Sequence, residues 1–473
     1  MRRTKIVCTL GPATDDYAVM KSMVRAGMNV ARLNFSHSTY DEHKARMDMV
    51  KRARKELDVP VAILLDTKGP EIRIKTFKDG KVNLKKGNKF TLTTRDVEGD
   101  ESKVSISYDE LPKYVKKGAC ILVNDGLIEL KVDSINATDI VTTVQNDGEL
   151  SNRKSINMPD TDIDMPYLSD VDRADIEFGL SQDVDYIAMS FVRNVDDVRM
   201  VKKLLNEHNK NDVQLIAKIE NRSGVDNMDS ILAECDGVMV ARGDMGVEIP
   251  FEELPGIQKD MISRCYRRGK KVITATQMLE SMINNPRPTR AEISDVANAV
   301  FDGSSAIMLS GETAAGKFPV ESVRTMAMIA ESAEGDINYK KRFYNLDAQI
   351  RTVTDAVSHS TCAAAFDLDA KAIIAVSQSG YTARKISRFR PSAPIIAATT
   401  SHKAYNQLAM NWGVIPTLSK MQDNSDDLFR HAMMCALNTG AVAEGDLVVI
   451  AAGVPVGVSG NTNTMRIEYV KKY

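Results

Sequence analysis

Charged and hydroxyl side chains directly follow several short apolar runs in the first two thirds of this sequence. Lys218 and Glu220 are two residues apart, so they lie on the same face if this segment is an extended strand. Arg32, Asn34 and Ser36 have the same spacing and share a face if their strand continues through them. A lysine beside a carboxylate can help to bind phosphate and a divalent cation, although Lys-x-Glu at a strand end is also a common structural ion pair.

Eight apolar, β-branched runs are the elements that must position these side chains, and helical patterns follow most of the runs. They are residues 5–9, 30–34, 61–66, 186–190, 214–219, 237–241, 271–274 and 306–309. Strands that are apolar throughout are typical of parallel sheets covered on both faces, and eight in order predict a (β/α)8 TIM barrel. Reacting groups in such a barrel lie at the carboxyl ends of the strands, so we expect the polar residues there to converge.

The predicted barrel mouth gathers two carboxylates, Glu220 and Asp244, beside Lys218 and two arginines. Such a set can hold a hard divalent cation and neutralise a phosphate, and a purely structural cluster rarely collects so many charges. Gly243 lets the backbone after the sixth strand approach a ligand, and the amides of residues 243 and 244 can bind a carboxylate if they open a helical turn. His37 lies in a loop, where a histidine is more often a surface or capping residue than a catalytic one.

Two segments depart from the barrel pattern. Between residues 70 and 167, alternating strands with Gly-rich turns predict an inserted all-β lid domain. Beyond about residue 337, five further apolar runs predict a small C-terminal α/β domain. The predicted division is 1–69 with 168–337 for the catalytic barrel, 70–167 for an inserted β-barrel lid domain and 338–473 for the C-terminal domain.

Length and composition restrict the class of protein. The 473 residues suffice for about three domains of roughly 150 residues each. The 62 Lys and Arg nearly balance the 64 Asp and Glu, which argues against nucleic acid or an anionic membrane as a partner. No apolar stretch is long enough to span a membrane, and no signal peptide is evident, so we expect a cytoplasmic protein. The six cysteines form no Cys-x-x-Cys pair, which predicts buried thiols rather than zinc ligands or disulfides.

Taken together, these segments resemble the motifs of the pyruvate kinase family over essentially the whole chain. Residues 215–225, Leu-Ile-Ala-Lys-Ile-Glu-Asn-Arg-Ser-Gly-Val, are similar to the family's active-site signature, and residues 31–37, 65–73, 241–244 and 274–278 match its other motifs. The resemblance implies a glycolytic enzyme that transfers the phosphoryl group of phosphoenolpyruvate to ADP and then protonates the enolate to pyruvate. It also implies a homotetramer with a C-terminal effector and interface domain.

The resemblance assigns roles to residues that match the motifs. Glu220 and Asp244 would ligate Mg2+ or Mn2+, while Lys218 and Arg32 would hold the transferring phosphoryl group. Thr276 would take part in proton delivery through water. Arg73 would assist from the lid hinge on the nucleotide side. The implied binding sets are Arg32, Lys218, Gly243, Asp244 and Thr276 for substrate, Asn34, Ser36, His37 and Arg73 for nucleotide, and Asn34, Ser36, Asp66 and Thr67 for K+.

Regulation is also implied. In this family a Glu at the position of Glu71 goes with a requirement for a monovalent cation. The C-terminal segment 377–382 follows a strand and opens a helix, which is a phosphate-binding geometry. It resembles the family's effector loop, so a phosphorylated sugar or nucleotide is expected there, facing the Gly-rich segment 458–464. The alternative is a solvated helix cap, since Tyr381 stands where relatives often have Arg or Lys. The predicted effector ligands are Ser377, Ser379, Gly380 and Thr382.

Two other functions fit parts of this pattern. A metal-dependent enolate lyase or aldolase on the same fold also uses a carboxylate pair and an arginine, but it explains neither the lid nor Lys218. A catalytically silent metabolite sensor would require the loss of Lys218, Glu220, Asp244 or Thr276, and all four are present. One nucleotide contact departs from the family pattern, since Asn194 stands where many members carry a basic residue.

Overall fold

A closed parallel barrel, an all-β insertion and a C-terminal α/β domain make up the fold. The structure, a computed structural model, describes residues 1–159, 161, 163–347, 349–457 and 460–471. Its strands are β1 Lys5–Thr9, β2 Val30–Asn34, β3 Ala62–Asp66, β4 Ile72–Arg73, β5 Lys81–Leu84, β6 Lys89–Thr93, β7 Lys103–Ser105, β8 Cys120–Val123, β9 Ile128–Ile135, β10 Asp139–Val144, β11 Gly148–Ser151, β12 Ser155–Asn157, β13 Tyr186–Met189, β14 Gln214–Ile219, β15 Gly237–Ala241, β16 Lys271–Ala275, β17 Ala306–Leu309, β18 Ala372–Val376, β19 Ile395–Thr399, β20 Val414–Leu418, β21 Leu447–Ala452 and β22 Thr464–Tyr469.

Many of the helices begin at a residue whose side chain caps them. Thr39 and Thr289, for example, each form a capping box with a glutamate three residues later. The helices are α1 Tyr17–Ala26, α2 Tyr40–Leu57, α3 Asp170–Ser181, α4 Val195–Glu207, α5 Arg222–Asp226, α6 Met228–Glu234, α7 Arg242–Glu248, α8 Leu254–Arg268, α9 Arg290–Asp302, α10 Gly311–Ala314, α11 Pro319–Gly335, α12 Tyr339–Tyr344, α13 Val353–Asp367, α14 Tyr381–Ser387, α15 His402–Gln407 and α16 Ser425–Asn438.

The barrel closes in the order β1-β17-β16-β15-β14-β13-β3-β2. The predicted TIM barrel is therefore confirmed, and each predicted strand is present with bounds within one residue. Nearly every residue of these strands is buried, because helices cover the outside and side chains fill the interior. Ala409 and Met410 of the C-terminal domain pack with the interior side chains of the barrel.

The helical pattern is less regular than predicted. The helical segment that follows β14 is divided at Asn227 into α5 and α6, and a 3-10 turn over Phe251–Glu253 precedes α8. Within the described residues, no helix is both long and apolar enough to cross a membrane. All six cysteines are free, and only Cys120 is partly exposed.

The insertion contains a seven-stranded sheet in the order β4-β12-β8-β9-β10-β6-β7 and a separate pair of β11 with β5. An isolated bridge between Ile74 and Ile106 links the ends of its two edge strands. Inward-facing side chains such as Phe90 and Leu130 form a core of their own. The insertion contacts the barrel through Asn157, whose amide donates to Glu248 Oε1 at 2.8 Å.

The C-terminal domain has a five-stranded sheet in the order β20-β19-β18-β21-β22, in which only β22 is antiparallel to its neighbour. It packs against the amino-terminal ends of the barrel strands. Lys5 Nζ donates to Val414 O at 2.8 Å, and Tyr186 Oη donates to Gln407 O at 2.6 Å. The predicted site lies at the opposite end of the barrel, on the side of the inserted lid domain.

Candidate active site

Lys218 lies at the centre of a buried charge network at the carboxyl ends of the barrel strands. Its Nζ is 3.0 Å from Glu220 Oε1, as expected for neighbours on one face of β14, and 3.2 Å from Asp66 Oδ1 at the end of β3. It also donates a hydrogen bond to Ser190 Oγ at 2.7 Å. Strand β13 separates β14 from β3 in the barrel, so Ser190, which follows β13, fills the position between them.

Arg32 extends the network from β2. Its Nε donates to Asp66 Oδ2 at 2.6 Å, and its Nη1 donates to Thr9 Oγ1 at 2.8 Å. Glu220, Lys218, Asp66 and Arg32 therefore alternate in sign along one line of contacts. Both carboxylates are fully buried, and the two cations are less than 10% exposed. Alternation lets each buried charge face an opposite one, which offsets its loss of hydration.

The network controls the protonation of its members. Burial alone would raise the pKa of Asp66, but the charges of Arg32 and Lys218 outweigh burial and hold it below its ordinary value. Burial would lower the pKa of Lys218, but Asp66 and Glu220 raise it above the ordinary lysine value. Burial raises the pKa of Glu220 to about 8 despite the nearby ammonium. Lys218 and Asp66 are thus kept charged. The ammonium of Lys218 offsets only part of the effect of burial on Glu220, so the pKa of Glu220 stays raised.

The two oxygens of Glu220 have different neighbours. Its Oε2 accepts from the Phe191 N–H at 2.6 Å, whereas buried Oε1 is paired only with the Lys218 ammonium, at 3.0 Å, among the described residues. Asp244 is half-buried, and its charge acts on both Lys218 and Glu220. The part of the chain that the structure describes holds no group of three or more metal-ligating side chains. Two carboxylates still fit Mg2+, which is commonly bound by one or two of them together with water and substrate phosphate.

Thr276 lies at the end of β16 in a left-handed backbone conformation with φ of 66°, and Gln277 follows with φ of 53°. Such angles are unfavourable for a β-branched residue, so neighbours must hold them. Arg242 does so, because its Nη2 donates to Thr276 O at 2.6 Å and its Nε donates to Ala275 O at 3.1 Å. Its Nη1 lies 2.8 Å from the carboxylate of Asp295.

The hydroxyl of Thr276 is engaged with backbone groups on both sides. It donates to Ala275 O at 2.6 Å and accepts from the Gly243 N–H at 2.9 Å. Residue 243 lies in the first turn of α7, so the helical turn anticipated from the sequence is present. One of the two amides expected to bind a carboxylate is therefore already used by Thr276.

The oxygen atoms expected to bind K+ belong to residues at or just after the ends of the adjacent strands β2 and β3. Asn34 is directly opposite Asp66 in the β2–β3 ladder, and Asn34 Oδ1 accepts from the Ser36 N–H at 3.1 Å. The carbonyl of Thr67 accepts from Ser190 Oγ at 2.6 Å. Thr67 thus joins the network through Ser190, while Asn34 lies beside Asp66 on the neighbouring strand.

Two predicted nucleotide ligands lie apart from this network. Arg73 belongs to the lid, where its Nε is 2.8 Å from Glu71 Oε2 and its Nη1 donates to Arg153 O at 2.7 Å. This ion pair restricts the orientation of the Arg73 guanidinium. His37 is exposed in the loop before α2. In the described residues neither side chain makes a hydrogen bond or an ion pair with the buried charges.

Comparison with known proteins identifies the family. The family model described as pyruvate kinase, barrel domain, matches residues 1–323, and that described as pyruvate kinase, alpha/beta domain, matches residues 355–468. The chain is 48% identical over 473 residues to the pyruvate kinase of Clostridium acetobutylicum, covering 100% of both chains. The chain belongs to the pyruvate kinase family. It is also 48% identical to the pyruvate kinase of Staphylococcus saprophyticus, covering 99% of this chain and 81% of that relative.

The region that resembles the family's effector loop lines a cavity of about 60 Å3 in the C-terminal domain. Ser377 and Thr382 line it, whereas Ser379 and Gly380 are not among the described residues that do. Lys420 also lines it and supplies a cation that the sequence motif lacks. Thr382 Oγ1 lies 2.7 Å from Thr462 Oγ1, so this loop contacts the Gly-rich segment. Val458 and Ser459 of that segment lie outside the described residues.

Three residues of the active site were not assigned a role from the sequence. Ser190 and Phe191 follow β13 directly, so the strand-end rule that selected Lys218 could also have selected them. Arg242 begins α7 after β15, and its backbone contacts to the neighbouring strand have no signal in the sequence. Asn194, the departure from the family pattern, caps α4 by accepting from the Asp196 and Asp197 N–H groups.

Proposed function

We propose that this chain transfers the phosphoryl group of phosphoenolpyruvate to ADP, giving pyruvate and ATP. The alternating charge network carries the proposal, because it places two fixed cations, Lys218 and Arg32, beside buried carboxylates at the carboxyl ends of the barrel strands. A site of this kind can bind a phosphate ester next to a divalent cation. Membership of the pyruvate kinase family supports the same reaction.

Lys218 and Arg32 bind the phosphoryl group during transfer. Phosphoryl transfer spreads negative charge over the equatorial oxygens, so catalysis depends on fixed positive charges and positioning. The raised pKa of Lys218 keeps its ammonium charged over the physiological range. Asp66 fixes both cations, and Thr9 further restricts Arg32. Arg73 approaches the nucleotide from the lid hinge, oriented by Glu71.

Glu220 and Asp244 hold Mg2+ or Mn2+ in this proposal. A bound divalent cation supplies Lewis-acid polarisation of the phosphate and enolate oxygens. The Oε1 of Glu220, which is paired only with the Lys218 ammonium in the described residues, and the half-buried carboxylate of Asp244 fit this role. The Phe191 N–H keeps Glu220 oriented through the other oxygen, at 2.6 Å.

Thr276 positions the proton donor for the enolate. Its hydroxyl proton points to Ala275 O, so the hydroxyl must rotate before it can donate to a substrate or a water molecule. A threonine hydroxyl is also a poor acid, which favours delivery through water that Thr276 orients. The Gly243 N–H and Arg242 hold the residue in place from both sides. Gly243 contributes to substrate binding by its position beside Thr276.

K+ binds among Asn34, Ser36, Asp66 and Thr67 in the proposed enzyme. All four supply oxygen donors, and Asn34 faces Asp66 across adjacent strands. A cation there offsets negative charge of the bound phosphate. Ser36 and His37 lie in the same loop, so a K+ that orders this loop also orders the nucleotide side of the site.

The remaining proposals concern organisation and regulation. Residues 1–69 with 168–337 form the catalytic barrel, residues 70–167 the lid, and residues 338–473 the effector and interface domain of a cytoplasmic homotetramer. A phosphorylated sugar or nucleotide binds at Ser377 and Thr382, with Ser379 and Gly380 shaping the loop. Lys420 supports this proposal, because it provides positive charge in place of the basic residue that Tyr381 replaces. Isothermal calorimetry with fructose 1,6-bisphosphate, sugar monophosphates and AMP tests this effector site. If none of these compounds binds, the loop is a solvated helix cap.

Pyruvate formation tests the catalytic proposal. The protein is mixed with phosphoenolpyruvate, ADP, Mg2+ and K+, and pyruvate and ATP are measured together. Equal amounts of the two products are expected, and a chelator of divalent cations should abolish both. Activity in the chelator, or no activity with all components present, would contradict the proposal.

A further inference from the structure

A second cationic cavity lies at the amino-terminal end of the barrel strands, between the barrel and the C-terminal domain. Its volume is about 20 Å3. From the barrel it is lined by Tyr266 and by Lys270 and Lys271, which lie where α8 ends and β16 begins. From the C-terminal domain it is lined by three arginines in and after α14, namely Arg384, Arg388 and Arg390. The catalytic proposal makes no use of this cavity.

Positive charge in the cavity is not balanced by its walls. Five lining side chains are cations, and no carboxylate lines it among the described residues. Arg388 and Arg390 are 8% and 4% exposed. Burial lowers the pKa of Arg390 to about 10, and burial together with the charge of Arg384 lowers the pKa of Lys271 to about 7. Asp355 pairs with Arg388 at 3.5 Å, but the other four cations form no ion pair with a carboxylate of the described residues.

Several donors at the cavity have nothing to bind. Arg388 Nε, Arg390 Nε, Arg390 Nη1 and Tyr266 Oη are shielded from solvent and lack a hydrogen-bond partner within the described residues. Buried donors without a partner are rare, because each has lost its hydration without compensation. Four of them on residues that line one cavity therefore indicate an acceptor that occupies it.

The protein also builds the cavity with close packing. Gly269 has a left-handed φ of +68°, and a Cβ there would lie 2.9 Å from Arg388 Cδ. Only glycine lets the Arg388 side chain approach the barrel this closely. The rings of Trp412 and Tyr266 lie 4.6 Å and 5.5 Å from the Arg390 guanidinium and restrict its orientation. The donors are thus fixed rather than free to turn away.

We propose that this cavity binds one small inorganic anion of the size of chloride, which links the barrel to the C-terminal domain. The volume suits one particle about as large as a water molecule. A water molecule would accept few of these hydrogen bonds and would leave the positive charge unbalanced. A monatomic anion accepts from all directions and balances charge.

The anion site is separate from the proposed effector cavity. The two cavities share no described lining residue. Arg384 lies between them, because it lines the anion cavity while its Nη1 donates to Ser379 O at 2.7 Å. Anion binding can therefore be tested without a phosphorylated effector.

Bromide tests the proposal directly, since it replaces chloride and is located by anomalous X-ray scattering. Crystals of the full chain are grown with potassium bromide, and the anomalous map is inspected in the cavity. The expected result is a peak within hydrogen-bonding distance of Arg388 Nε, Arg390 and Tyr266 Oη. Density for water alone, or for a tetrahedral oxyanion alone, would overturn the assignment of a chloride-sized anion.

Thermal unfolding provides an independent measurement. Melting is compared in potassium chloride and potassium gluconate at equal concentration, so that K+ stays constant. Chloride at tenfold its dissociation constant should lower the unfolding equilibrium constant about 11-fold. Tyr266→Phe removes one hydrogen-bond donor and should reduce the stabilisation by chloride. Tyr339→Phe is the matched control, because its buried hydroxyl also lacks a partner among the described residues but does not line the cavity. Equal stabilisation by chloride in all three proteins, or no stabilisation of the wild type, would overturn the proposal.

Discussion

Replacing Lys218 with methionine tests the centre of the charge network, because methionine keeps a long unbranched side chain and removes the charge. The Lys218 ammonium lies 3.0 Å from Glu220 and 3.2 Å from Asp66. At these distances each attraction is about 5 kcal/mol at an effective dielectric constant of about 20. A phosphoryl oxygen at a similar distance experiences an attraction of the same order, part of which already exists in the ground state. The loss in the transition state is therefore about 3 to 5 kcal/mol.

This loss corresponds to a decrease in turnover of roughly 150- to 5,000-fold. Pyruvate formation measures the whole reaction, and exchange of pyruvate methyl protons for deuterium measures proton transfer alone. We expect Lys218→Met to impair the first far more than the second, because proton exchange moves no phosphoryl group. Lys5→Met is the matched control, since Lys5 is also a buried lysine on a barrel strand but lies at the opposite end. A Lys218→Met enzyme that keeps a tenth of wild-type turnover would refute the assigned role.

Three further predictions concern proton delivery, K+ and pH. Thr276→Val should slow methyl-proton exchange by up to about 100-fold, because it removes the hydroxyl, and Thr276→Ser should restore exchange; equal rates in both variants would contradict this role. Replacing K+ with a bulky organic cation at constant ionic strength should sharply reduce turnover, and Glu71→Lys should restore part of the lost turnover. Full wild-type turnover without K+, Rb+ or NH4+ would exclude the cation site. Burial lowers the pKa of Lys5 from 10.5 to about 7, so the unfolded chain binds more protons between these values and stability rises with pH there. The free energy of unfolding should therefore increase more steeply from pH 7 to 9 in the wild type than in Lys5→Met. The two slopes should differ by up to about 1.4 kcal/mol per pH unit, and parallel profiles would contradict this prediction.

The barrel was predictable because its strands are buried on both faces, which leaves continuous apolar runs that the sequence shows directly. Helix α3 was not predicted, because two of its buried positions are aspartates. Asp172 accepts from the Gly69 N–H at 2.9 Å, and Asp175 accepts from Tyr40 Oη at 2.7 Å. Buried carboxylates that accept hydrogen bonds from elsewhere in the fold interrupt the apolar face of a helix, so the helical period of hydrophobic residues is lost. A pattern of hydrophobicity therefore misses helices whose inner face is partly polar.

The candidate site shows the same limit at the level of single residues. Lys218 and Glu220 are close because they are neighbours on one strand, so their spacing was sufficient to predict the contact. Asp66 was assigned only to K+, yet it also joins Lys218 to Arg32. That role depends on the order and register of separate strands, which no local spacing encodes. Sequence patterns thus identify groups able to act, whereas the barrel decides which of them act together.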